Sequence, residues 1–334
     1  MTASAGGSSR KASGDSGFDR MIVLDGIEAV APPLWGCVLT VGNFDGVHRA
    51  HQQLLAQSGM FAAHTGGRVV VLTFEPHPLT VVAPQKAPPR LSTRQQKIDL
   101  LAHYGADVVA VARSEPSLLG LEAEAFVQQV IVDRFHPTHV VEGASFGFGR
   151  GRRGTTDLLA AAGHEAGFQV HVVDPVRLEI EPGEAVMVSS SLVRSFLSVG
   201  KVRRAGLCLG RPYAVGGRVI HGRHRGRSLG FPTANVEVAG QMVPADGVYA
   251  GRAKVGDLLR PCAVSIGTAP TFGESGERVE THLIDFDGDL YDAEISVEFL
   301  DRLRDNRPFS GPQALTEQLK VDVARARQLA EERD

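Results

Sequence analysis

The sequence predicts an α/β protein with two units, a parallel sheet covered by helices over residues 20–200 and a small antiparallel β-barrel with a terminal helix over 201–334. The length of 334 residues is enough for two ordinary domains. Up to about residue 200, short apolar strands alternate with amphipathic helices, which is typical of a parallel sheet with helices on both faces. After Arg211 short strands follow one another between Gly, Pro and Asp-Gly turns, which indicates a barrel.

The composition is that of an ordinary globular protein, with 43% hydrophobic and 22% charged residues. The net charge of −3 gives no global attraction to nucleic acid or to an anionic membrane, so any anion site must be local. Cys37, Cys208 and Cys262 form no CxxC pair, which favours a reducing compartment and predicts a cytoplasmic protein. No apolar run reaches the length of a membrane span. Residues 1–19 are small and polar without an apolar core, so we expect a disordered tail and no secretory signal.

The elements of the first unit follow from periodicity and from start and stop signals. Pro76 ends the second strand, Ser92 is a plausible N-cap of the next helix, and Gly105 follows the end of that helix. The predicted strands are "GCVLTVGNF", "RVVVLTFEP", "ADVVAVAR", "PTHVVEG" and "FQVHVVD". The predicted helices are "HRAHQQLLAQSGMFAAHTG", "STRQQKIDLLAHYG", "EAEAFVQQVIVDRF", "TTDLLAAAGHEAG" and, at the boundary, "SSSLVRSFLSVGKVRRAGLCLG".

The second unit consists of short strands and one last helix. The predicted strands are "YAVGGRVIHG", "TANVEVAG", "GVYAGRAKVG", "LRPCAVSIG", "ERVETHLIDF" and "LYDAEISVEFL". The amphipathic run "PQALTEQLKVDVARARQLAEE" predicts a helix that closes the chain. The order of the elements contains no internal repeat.

The segment "VGNFDGVHRAH" stands where the first strand turns into a helix. Gly42 and Gly46 allow a tight turn close to a ligand, and Asp45 is placed to cap or orient the start of the helix. His48 and His51 lie one turn apart on the same face, at a helix end that favours anions. Such a turn can hold a nucleotide phosphate with two imidazole donors. On spacing alone, two solvated histidines at a helix start are an equal alternative.

The run "GRPYAVGGRVIHGRHRGRSLGFPTANV" combines a Gly-Arg loop with a following strand. Glycines leave backbone N–H groups free to wrap phosphates, and Arg218, Arg223, Arg225 and Arg227 add local charge. Thr233 and Asn235 alternate, so both point to one strand face, and their oxygens suit Mg²⁺. A conventional P-loop is excluded because "SVGKV" lacks the spacing and the hydroxyl. The open alternative is a basic arm that binds RNA, which the net charge and the flanking strands disfavour.

Several separate motifs resemble one enzyme family. "LTVGNFDGVHRAHQQLL" contains an HxGH-type motif and is similar to the start of bacterial bifunctional riboflavin kinase/FAD synthetases. "LTFEPHP", "PPRLSTRQQKIDLL", "SSSLVR", "GFPTAN", "VSIGTAPTFG" and "VETHLIDFDGDLYDAEISVEFLDRLRDNRPF" resemble further family segments in the same order. The resemblance covers roughly residues 20 to 312, and several motifs in order are more specific than any one of them.

The resemblance implies a Rossmann-like nucleotidyltransferase domain over 20–200, which transfers AMP from ATP to FMN and releases pyrophosphate. It implies a riboflavin kinase domain over 201–334, which transfers the γ-phosphoryl group of ATP to riboflavin. Mg²⁺ is the implied cofactor, ATP the co-substrate, and flavins are substrates and products. The implied catalytic residues are His48, His51, Arg194 and Glu280, with Glu280 as the base of the kinase. The implied nucleotide-binding residues are Gly42, Asn43, Asp45, Gly46, Ser190, Gly222, Gly230, Thr233 and Asn235, the implied Mg²⁺ ligands Thr233 and Asn235, and the implied flavin-binding residues His77 and Phe146.

The chain departs from the family pattern at a few positions. Ala50, which lies between His48 and His51, stands at the position where the family usually has Gly. Ser145 and Gly147 replace a family Asp or Asn and a family Arg, and Arg150, Arg152 and Arg153 follow as candidates to replace the lost cation. In the kinase domain Ser265 and Ala269 replace a family Asn and a family Arg.

Two alternative functions therefore stay open. The first is a riboflavin kinase alone, with a degenerate nucleotide-binding first domain. The second is a dinucleotide-binding oxidoreductase, because "GRGRRG" (149–154) matches G-x-G-x-x-G between a strand and a helix, with Asp174 about twenty residues on. The expected partners are small molecules, with no nucleic acid and no membrane. A homo-oligomer is compatible with the sequence, which does not set the oligomeric state.

Overall fold

The computed structural model describes residues 21–30, 34–221, 229–268 and 277–332. The predicted tail over residues 1–19 lies outside these residues. Within them the chain forms a six-stranded sheet, a two-stranded hairpin and a closed six-stranded barrel, in that order along the chain.

The first unit is built on a parallel sheet of order β1-β4-β3-β2-β5-β6. Val, Leu and Ala fill the central strands because both faces are covered, and the residues of β2 are all buried. The edge strand β1 is short and was not predicted from the sequence. The strands are β1 (Ile22–Asp25), β2 (Val38–Val41), β3 (Val69–Glu75), β4 (Val108–Arg113), β5 (His139–Gly143) and β6 (Gln169–Val173).

Helices cover both faces of this sheet, and one apolar cluster lies on each face. Thr93, and not Ser92, is the N-cap of α3, so the predicted cap was wrong by one residue. Thr93 and Gln96 form a capping box, which satisfies two backbone donors at once. The helices are α1 (Arg49–Thr65), α2 (Pro78–Val82), α3 (Arg94–His103), α4 (Pro116–Leu119), α5 (Ala123–Phe126, continued as a π-helix over Val127–Phe135) and α6 (Thr156–Ala166).

The segment around residue 200 forms two helices where the sequence predicted one. A hairpin of β7 (Arg177–Glu181) and β8 (Glu184–Met187) precedes α7 (Ser190–Ser198) and α8 (Val202–Leu209). Gly200 separates the helices at φ +73°. A Cβ there would lie 2.8 Å from the Tyr249 hydroxyl oxygen, so only glycine lets the chain turn this close to the barrel.

The second unit is a closed antiparallel barrel of order β10-β13-β12-β11-β14-β9. Its strands are β9 (Tyr213–Ile220), β10 (Ala234–Val238), β11 (Gly247–Val255), β12 (Leu258–Thr268), β13 (Glu277–Leu283) and β14 (Glu294–Arg304). The terminal helix α9 (Pro312–Glu331) packs Ala326, Leu329 and Ala330 against Ala250 and Leu300 of the barrel wall. The predicted barrel and terminal helix are confirmed.

One continuous apolar core joins the two units. Val193, Phe196 and Leu197 of α7 pack in the same cluster as barrel residues such as Tyr249 and Phe299. The carboxyl ends of β2, β3 and β5 therefore lie beside a helix that is anchored in the barrel, and this edge of the sheet carries the first candidate site.

Candidate functional site

The turn after β2 is held in an unusual backbone conformation. Phe44, Gly46 and Val47 have φ values of 49°, 81° and 38°. Positive φ is costly for Phe and Val, and both side chains are buried in the core, which compensates for the strain. The turn leads directly into α1, whose N-cap is His48.

His48 and His51 stack on each other at the start of α1, with ring centroids 3.6 Å apart and an angle of 16° between the planes. His48 is 5% exposed, and the Nδ1 atoms of both rings are buried without a hydrogen-bond partner. Burial lowers the pKa of His48 to about 4 and the pKa of His51 well below its ordinary value. The alternative of two solvated histidines is wrong. The two rings are neutral and have hydrogen-bonding capacity that the protein does not use.

Asp45 does not cap α1, contrary to one of the two roles expected for it. Its carboxylate accepts hydrogen bonds from the backbone N–H of Leu91 and of Ser92, both at 3.0 Å, and from the Ser92 hydroxyl at 3.0 Å. It also forms an ion pair with Arg194. Asp45 thus fixes the turn to the segment before α3 and to α7.

Ser190 and Arg194 lie on one face of α7, against the turn. The Ser190 hydroxyl donates to the backbone carbonyl of Asp45 at 2.9 Å. Arg194 donates through Nε to the Pro89 carbonyl at 2.7 Å, and its side chain is only 13% exposed. The family resemblance implied a role for both residues in the first site, and both contact Asp45 of the turn.

Asn43 and His77 meet at the ends of β2 and β3. The Asn43 amide nitrogen lies 3.2 Å from Nε2 of His77, and Nδ1 of His77 accepts from the backbone N–H of Leu79, so His77 is the N-cap of α2. Burial lowers the pKa of His77, which keeps the ring neutral near pH 7. His77 therefore has a structural role in a rigid turn and also faces the site.

Lys97 is a buried cation of this site that the sequence did not single out. Its Nζ donates to the carbonyls of Phe74 at 3.1 Å and Asn43 at 3.4 Å, and it lies 3.4 Å from the Glu75 carboxylate. It joins the ends of β2 and β3. The sequence could have indicated this burial, because Lys97 lies one turn before Leu101, which is fully buried, and therefore on the same face of α3.

Arg211, at the start of the second unit, holds the same turn from the other side. Its guanidinium donates to the carbonyls of Gly46 at 2.7 Å and Val47 at 3.1 Å. The side chain of Gln52 donates to the carbonyl of Leu209 at 2.8 Å, and Arg49 donates to that of Leu207 at 2.8 Å. The turn of the first unit is thus clamped by residues beyond 200, a contact that no local pattern predicts.

The loop after β5 shows which of the following arginines lies beside Ser145 and Gly147, the two positions that depart from the family pattern. The Arg152 guanidinium donates to the Ser145 carbonyl at 3.1 Å, and a Cβ at Gly147 would lie 3.1 Å from Arg152 Nε. Arg152 therefore occupies the space beside Gly147, where the family pattern has its own arginine. Phe146 stacks on Phe148 with centroids 5.3 Å apart and is half-buried.

Two of the three glycines of the G-x-G-x-x-G match, Gly149 and Gly154, are required by close packing inside the protein, whereas Gly151 faces open space at φ +64°. A Cβ at Gly149 would lie 2.7 Å from the Cα of Ala123, and one at Gly154 would lie 2.5 Å from the Phe148 ring. The segment closes on itself through a bridge between Phe148 and Gly154, and α6 starts only at Thr156. A dinucleotide fingerprint needs its loop to open directly into the helix, so this geometry contradicts that alternative.

The second candidate site lies on the outer face of the barrel. The register pairs Glu280 of β13 with Asn235 of β10 on one side and with Ser265 of β12 on the other. Val236 and Val279 point into the core, so the three polar side chains share the outer face. Thr233 is exposed and lies one residue before the start of β10, so its position on the same face as Asn235 stays a prediction.

The turn before β10 is held by a histidine that the sequence did not assign. Nδ1 of His282 lies 2.7 Å from the Pro232 carbonyl, directly before Thr233, and the ring meets Phe231 edge to face. Gly230 has φ +83°, which a residue with a side chain adopts only with strain. Gly222, three of the arginines of the loop (223, 225 and 227) and Ala269 lie outside the described residues.

A cavity of about 460 Å³ lies between the end of β14 and α9, apart from the residues predicted for either site. Arg304, Arg307, Arg325 and Asp322 are among the residues that line it, and Arg304 and Asp322 form an ion pair at 2.8 Å. We assign no catalytic role to this cavity, because Arg304 is paired with Asp322, and Arg307 and Arg325 donate to the side chains of Gln318 and Gln328.

Comparison with known proteins follows the same division of the chain. Residues 32–191 match the family model of FAD synthetase, and residues 209–330 match that of riboflavin kinase. The bifunctional riboflavin kinase/FMN adenylyltransferase of Pseudomonas fluorescens is 38% identical over 93% of this chain and 98% of its own length. The proteins of that name from Escherichia coli K12 and Bacillus subtilis are 38% and 34% identical over 89% and 86% of this chain, and over 93% and 91% of their own lengths.

The chain belongs to the bifunctional riboflavin kinase/FMN adenylyltransferase family. A crystal structure described as the macrolide-efflux protein from Streptococcus pneumoniae has the same fold, with a TM-score of 0.82, 28% identity, and coverage of 92% of this chain and 99% of that one. Within the described part of this chain, no helix has the length and apolar character needed to cross a membrane.

The structure gathers the predicted residues of the family into two separate groups. The first group contains Gly42, Asn43, Asp45, Gly46, His48, His51, His77, Ser190 and Arg194, to which the structure adds Lys97 and Arg211. The second contains Thr233, Asn235 and Glu280, to which it adds His282.

Proposed function

We propose that this chain makes FMN in its second unit by ATP-dependent phosphorylation of riboflavin, and FAD in its first unit by adenylylation of FMN with release of pyrophosphate. Family membership over both units supports the pair of reactions. The observation that carries the proposal is the buried His48/His51 stack with two unpartnered ring nitrogens, because a mere relic of a nucleotide site has no reason to keep buried polar atoms unpaired.

In the first unit the neutral imidazoles would hydrogen-bond the phosphates of ATP at the start of α1. The flavin phosphate would attack the α-phosphorus, and the bond to the pyrophosphate oxygen would break. Arg194 and Lys97 supply fixed positive charge beside the turn, which stabilises the charge that develops on the phosphoryl oxygens. Asp45 aims Arg194 at the turn through their ion pair. His77 and Phe146, beyond the ends of β3 and β5, are the proposed flavin contacts.

In the second unit Glu280 would accept the proton of the terminal ribityl hydroxyl of riboflavin as its oxygen attacks the γ-phosphorus of ATP. A neutral hydroxyl is a weak nucleophile, so a positioned carboxylate matters most in this unit. The pairing of Glu280 with Asn235, one of the two proposed metal ligands, supports this role.

Thr233 and Asn235 fit Mg²⁺ by their chemistry. A hydroxyl and an amide oxygen are hard ligands, and Mg²⁺ completes its shell with water and substrate phosphates and does not require a protein cage. When bound, the ion would neutralise charge on the ATP phosphates. Positioning by the protein and this neutralisation would account for most of the acceleration.

The alternative of a kinase with a silent first unit rests on Ser145 and Gly147. The position of Arg152 beside Gly147 weakens this alternative, because a guanidinium is present in the loop although the family arginine is not. The buried histidine stack weakens it further.

The test is to incubate the purified chain with ATP and Mg²⁺, once with riboflavin and once with FMN, and to separate the flavins by chromatography. We expect FMN and FAD from riboflavin, and FAD from FMN. FMN formation without any FAD from either substrate would establish the kinase-only alternative. The absence of both products would overturn the proposed function.

The proposal divides the chain into a domain that forms FAD, residues 20–200, and a domain that forms FMN, residues 201–334. It also places the protein in the cytoplasm. Cys37, Cys208 and Cys262 are all buried and unpaired, which is usual for a protein of a reducing compartment. ATP and flavins are the proposed partners, without nucleic acid.

A further inference from the structure

Glu142 is a buried carboxyl group at the point of the first sheet where the chain changes direction. From β2 the chain passes through α1 to β3 on one side, and it reaches β5 on the other side only later. Glu142 lies near the end of β5 and is 2% exposed. Open parallel sheets bind ligands in the crevice beyond such a switch point.

Strands β2 and β5 border this crevice, and their pairing stops before either strand ends. The β2–β3 ladder continues to Val41. The β2–β5 ladder covers only two pairs, Val38 with His139 and Leu39 with Val140. At Val41 the carboxyl group of Glu142 accepts the backbone N–H at 2.5 Å. A side chain therefore takes the place of the next ladder bond.

Beyond Val41 the chain leans toward β3. The Gly42 N–H donates to the Leu72 carbonyl at 3.0 Å, and the Asn43 carbonyl accepts from the Thr73 hydroxyl at 3.2 Å. The end of β2 is thus held to β3 by these two bonds, and on the β5 side by the side chain of Glu142.

The contact between Glu142 and Val41 is made by a carboxyl group whose burial favours the neutral form. Burial raises the pKa of Glu142 well above its ordinary value, and no charged neighbour contributes to the shift. A lone buried carboxylate would be costly, whereas a protonated carboxyl group offers one acceptor oxygen, which Val41 uses. A glutamine can supply the same acceptor without the acid.

We propose that Glu142 is a positioning residue of the adenylyl-transfer site: it ends the β2–β5 ladder and fixes Val41, so that the turn carrying Asn43, His48 and His51 faces the nucleotide crevice. This inference rests on the function proposed for the first unit. It assigns Glu142 no contact with the reacting atoms. Its effect is transmitted through the backbone of Val41.

The test compares Glu142→Gln with Glu142→Met in the full chain. The variants have similar volume, but only Gln can accept from Val41. For each variant, kcat and the KM of ATP are measured for FAD formation from FMN. FMN formation from riboflavin in the same preparation is the internal control, and Glu124→Met, at an exposed position of α5, is the control variant. We expect kcat/KM for ATP of Glu142→Gln and of Glu124→Met to stay within about twofold of the wild-type value. For Glu142→Met we expect kcat/KM for ATP to fall by about tenfold or more, because the buried N–H of Val41 loses its partner. FMN formation should be unchanged.

The proposal is overturned if Glu142→Met retains the wild-type kcat and KM, or if Glu142→Gln is impaired as much as Glu142→Met. A purely structural role would lower the thermal midpoint of Glu142→Met and leave kcat/KM per folded molecule unchanged, which also contradicts it. If Glu142→Met does not fold, Glu142→Asp is used in its place. Its shorter side chain cannot reach the Val41 N–H, so FAD formation should be impaired in Glu142→Asp and not in Glu142→Gln. Failure of the wild type to form FAD from FMN overturns the proposed function and this inference together, whereas failure of the variants alone concerns Glu142.

Discussion

His48 and His51 are neutral in the folded protein, which determines what they can do for a phosphate group. A neutral imidazole has one N–H donor and one acceptor nitrogen, so each ring offers one hydrogen bond to an oxyanion and no charge. The positive charge of the site comes from Arg194, Lys97 and Arg211. This division lets two rings stack at 3.6 Å, which two imidazolium cations could not do without strong repulsion.

The depressed pKa of His48 predicts a loss of stability in acid. The unfolded chain binds a proton near pH 6.5 and the folded chain only near pH 4, so the contribution is fully present above about pH 6.5 and is lost as the pH falls toward 4. We expect the free energy of unfolding of the first unit to fall over this interval by up to about 1.4 kcal/mol per pH unit for this group.

Denaturant unfolding at several pH values, compared between wild type and His48→Gln, measures this slope. The variant should show a shallower decline, and His103→Gln, at an exposed position, should behave as wild type. Parallel pH profiles for wild type and His48→Gln would contradict a buried neutral His48.

Replacement of Glu280 separates the two activities. We expect Glu280→Gln to lower kcat of FMN formation by about 10²–10⁴-fold, the usual contribution of a general base, and to leave FAD formation from FMN unchanged. Glu237→Gln is the matched control, since Glu237 is an exposed carboxylate on the same face of β10. Steady-state assays of both reactions on one preparation make the comparison, and equal losses in Glu280→Gln and Glu237→Gln would remove Glu280 from catalysis.

Sequence patterns singled out individual candidate residues but not their partners. The spacing of His48 and His51 and the alternation of Thr233 and Asn235 are local geometry, which helix and strand periods determine. The pairing of Arg194 with Asp45, and the burial of Lys97 and Glu142, depend on segments far apart in the chain. Ser92 shows the same limit on a small scale: its hydroxyl binds Asp45, so the adjacent Thr93 becomes the cap.

At the scale of elements, α1 and α8 form a clamp on the motif turn. The carbonyls at the end of α8 accept from Arg49 and Gln52 of α1, and Arg211 directly after α8 donates to the carbonyls of Gly46 and Val47. Helix ends leave such carbonyls unpaired within the helix, so they are available to a neighbouring element. The strained φ of Val47 is thereby held from both sides.

Loss of Arg211 should impair the first reaction although the residue belongs to the second unit. Arg211→Met removes the two hydrogen bonds of a charged donor to the turn and a third to the Leu209 carbonyl, and we expect kcat/KM of FAD formation to fall by about tenfold or more while FMN formation continues. Arg203→Met is the control, because the Arg203 side chain of α8 is 67% exposed. Equal effects of Arg211→Met on both reactions would indicate general destabilisation and no clamp.

At the scale of the whole molecule, α7 serves both units with different faces. Ser190 and Arg194, one turn apart, contact the Asp45 turn, while Val193, Phe196 and Leu197 are part of the core that continues into the barrel. The sequence indicated the change from α/β alternation to short strands correctly. It did not show that the helix at that change is packed in the core of the following barrel, because amphipathic periodicity reveals an apolar face and not its partner.

A division of the chain at residue 200 should therefore damage the barrel. A fragment of residues 201–334 keeps Thr233, Asn235 and Glu280 but loses α7. A fragment of residues 189–334 keeps these three residues and also α7. Burial of each large apolar side chain contributes about 1.5–3 kcal/mol, so the loss of Val193, Phe196 and Leu197 removes about 5–9 kcal/mol, a large part of the usual stability of a small domain.

We expect the 189–334 fragment to form FMN with a higher thermal midpoint than the 201–334 fragment, measured by calorimetry and by the riboflavin assay. The matched control is Phe196→Ser within the longer fragment, which keeps the length of α7 and removes part of its apolar face, and whose midpoint should fall toward that of the shorter fragment. Equal midpoints of the 189–334 and 201–334 fragments would mean that α7 belongs to the first unit alone. A lower midpoint of the shorter fragment would mean that one helix stabilises the kinase barrel and positions two residues of the adenylyltransferase site, so neither site could be separated cleanly from the other.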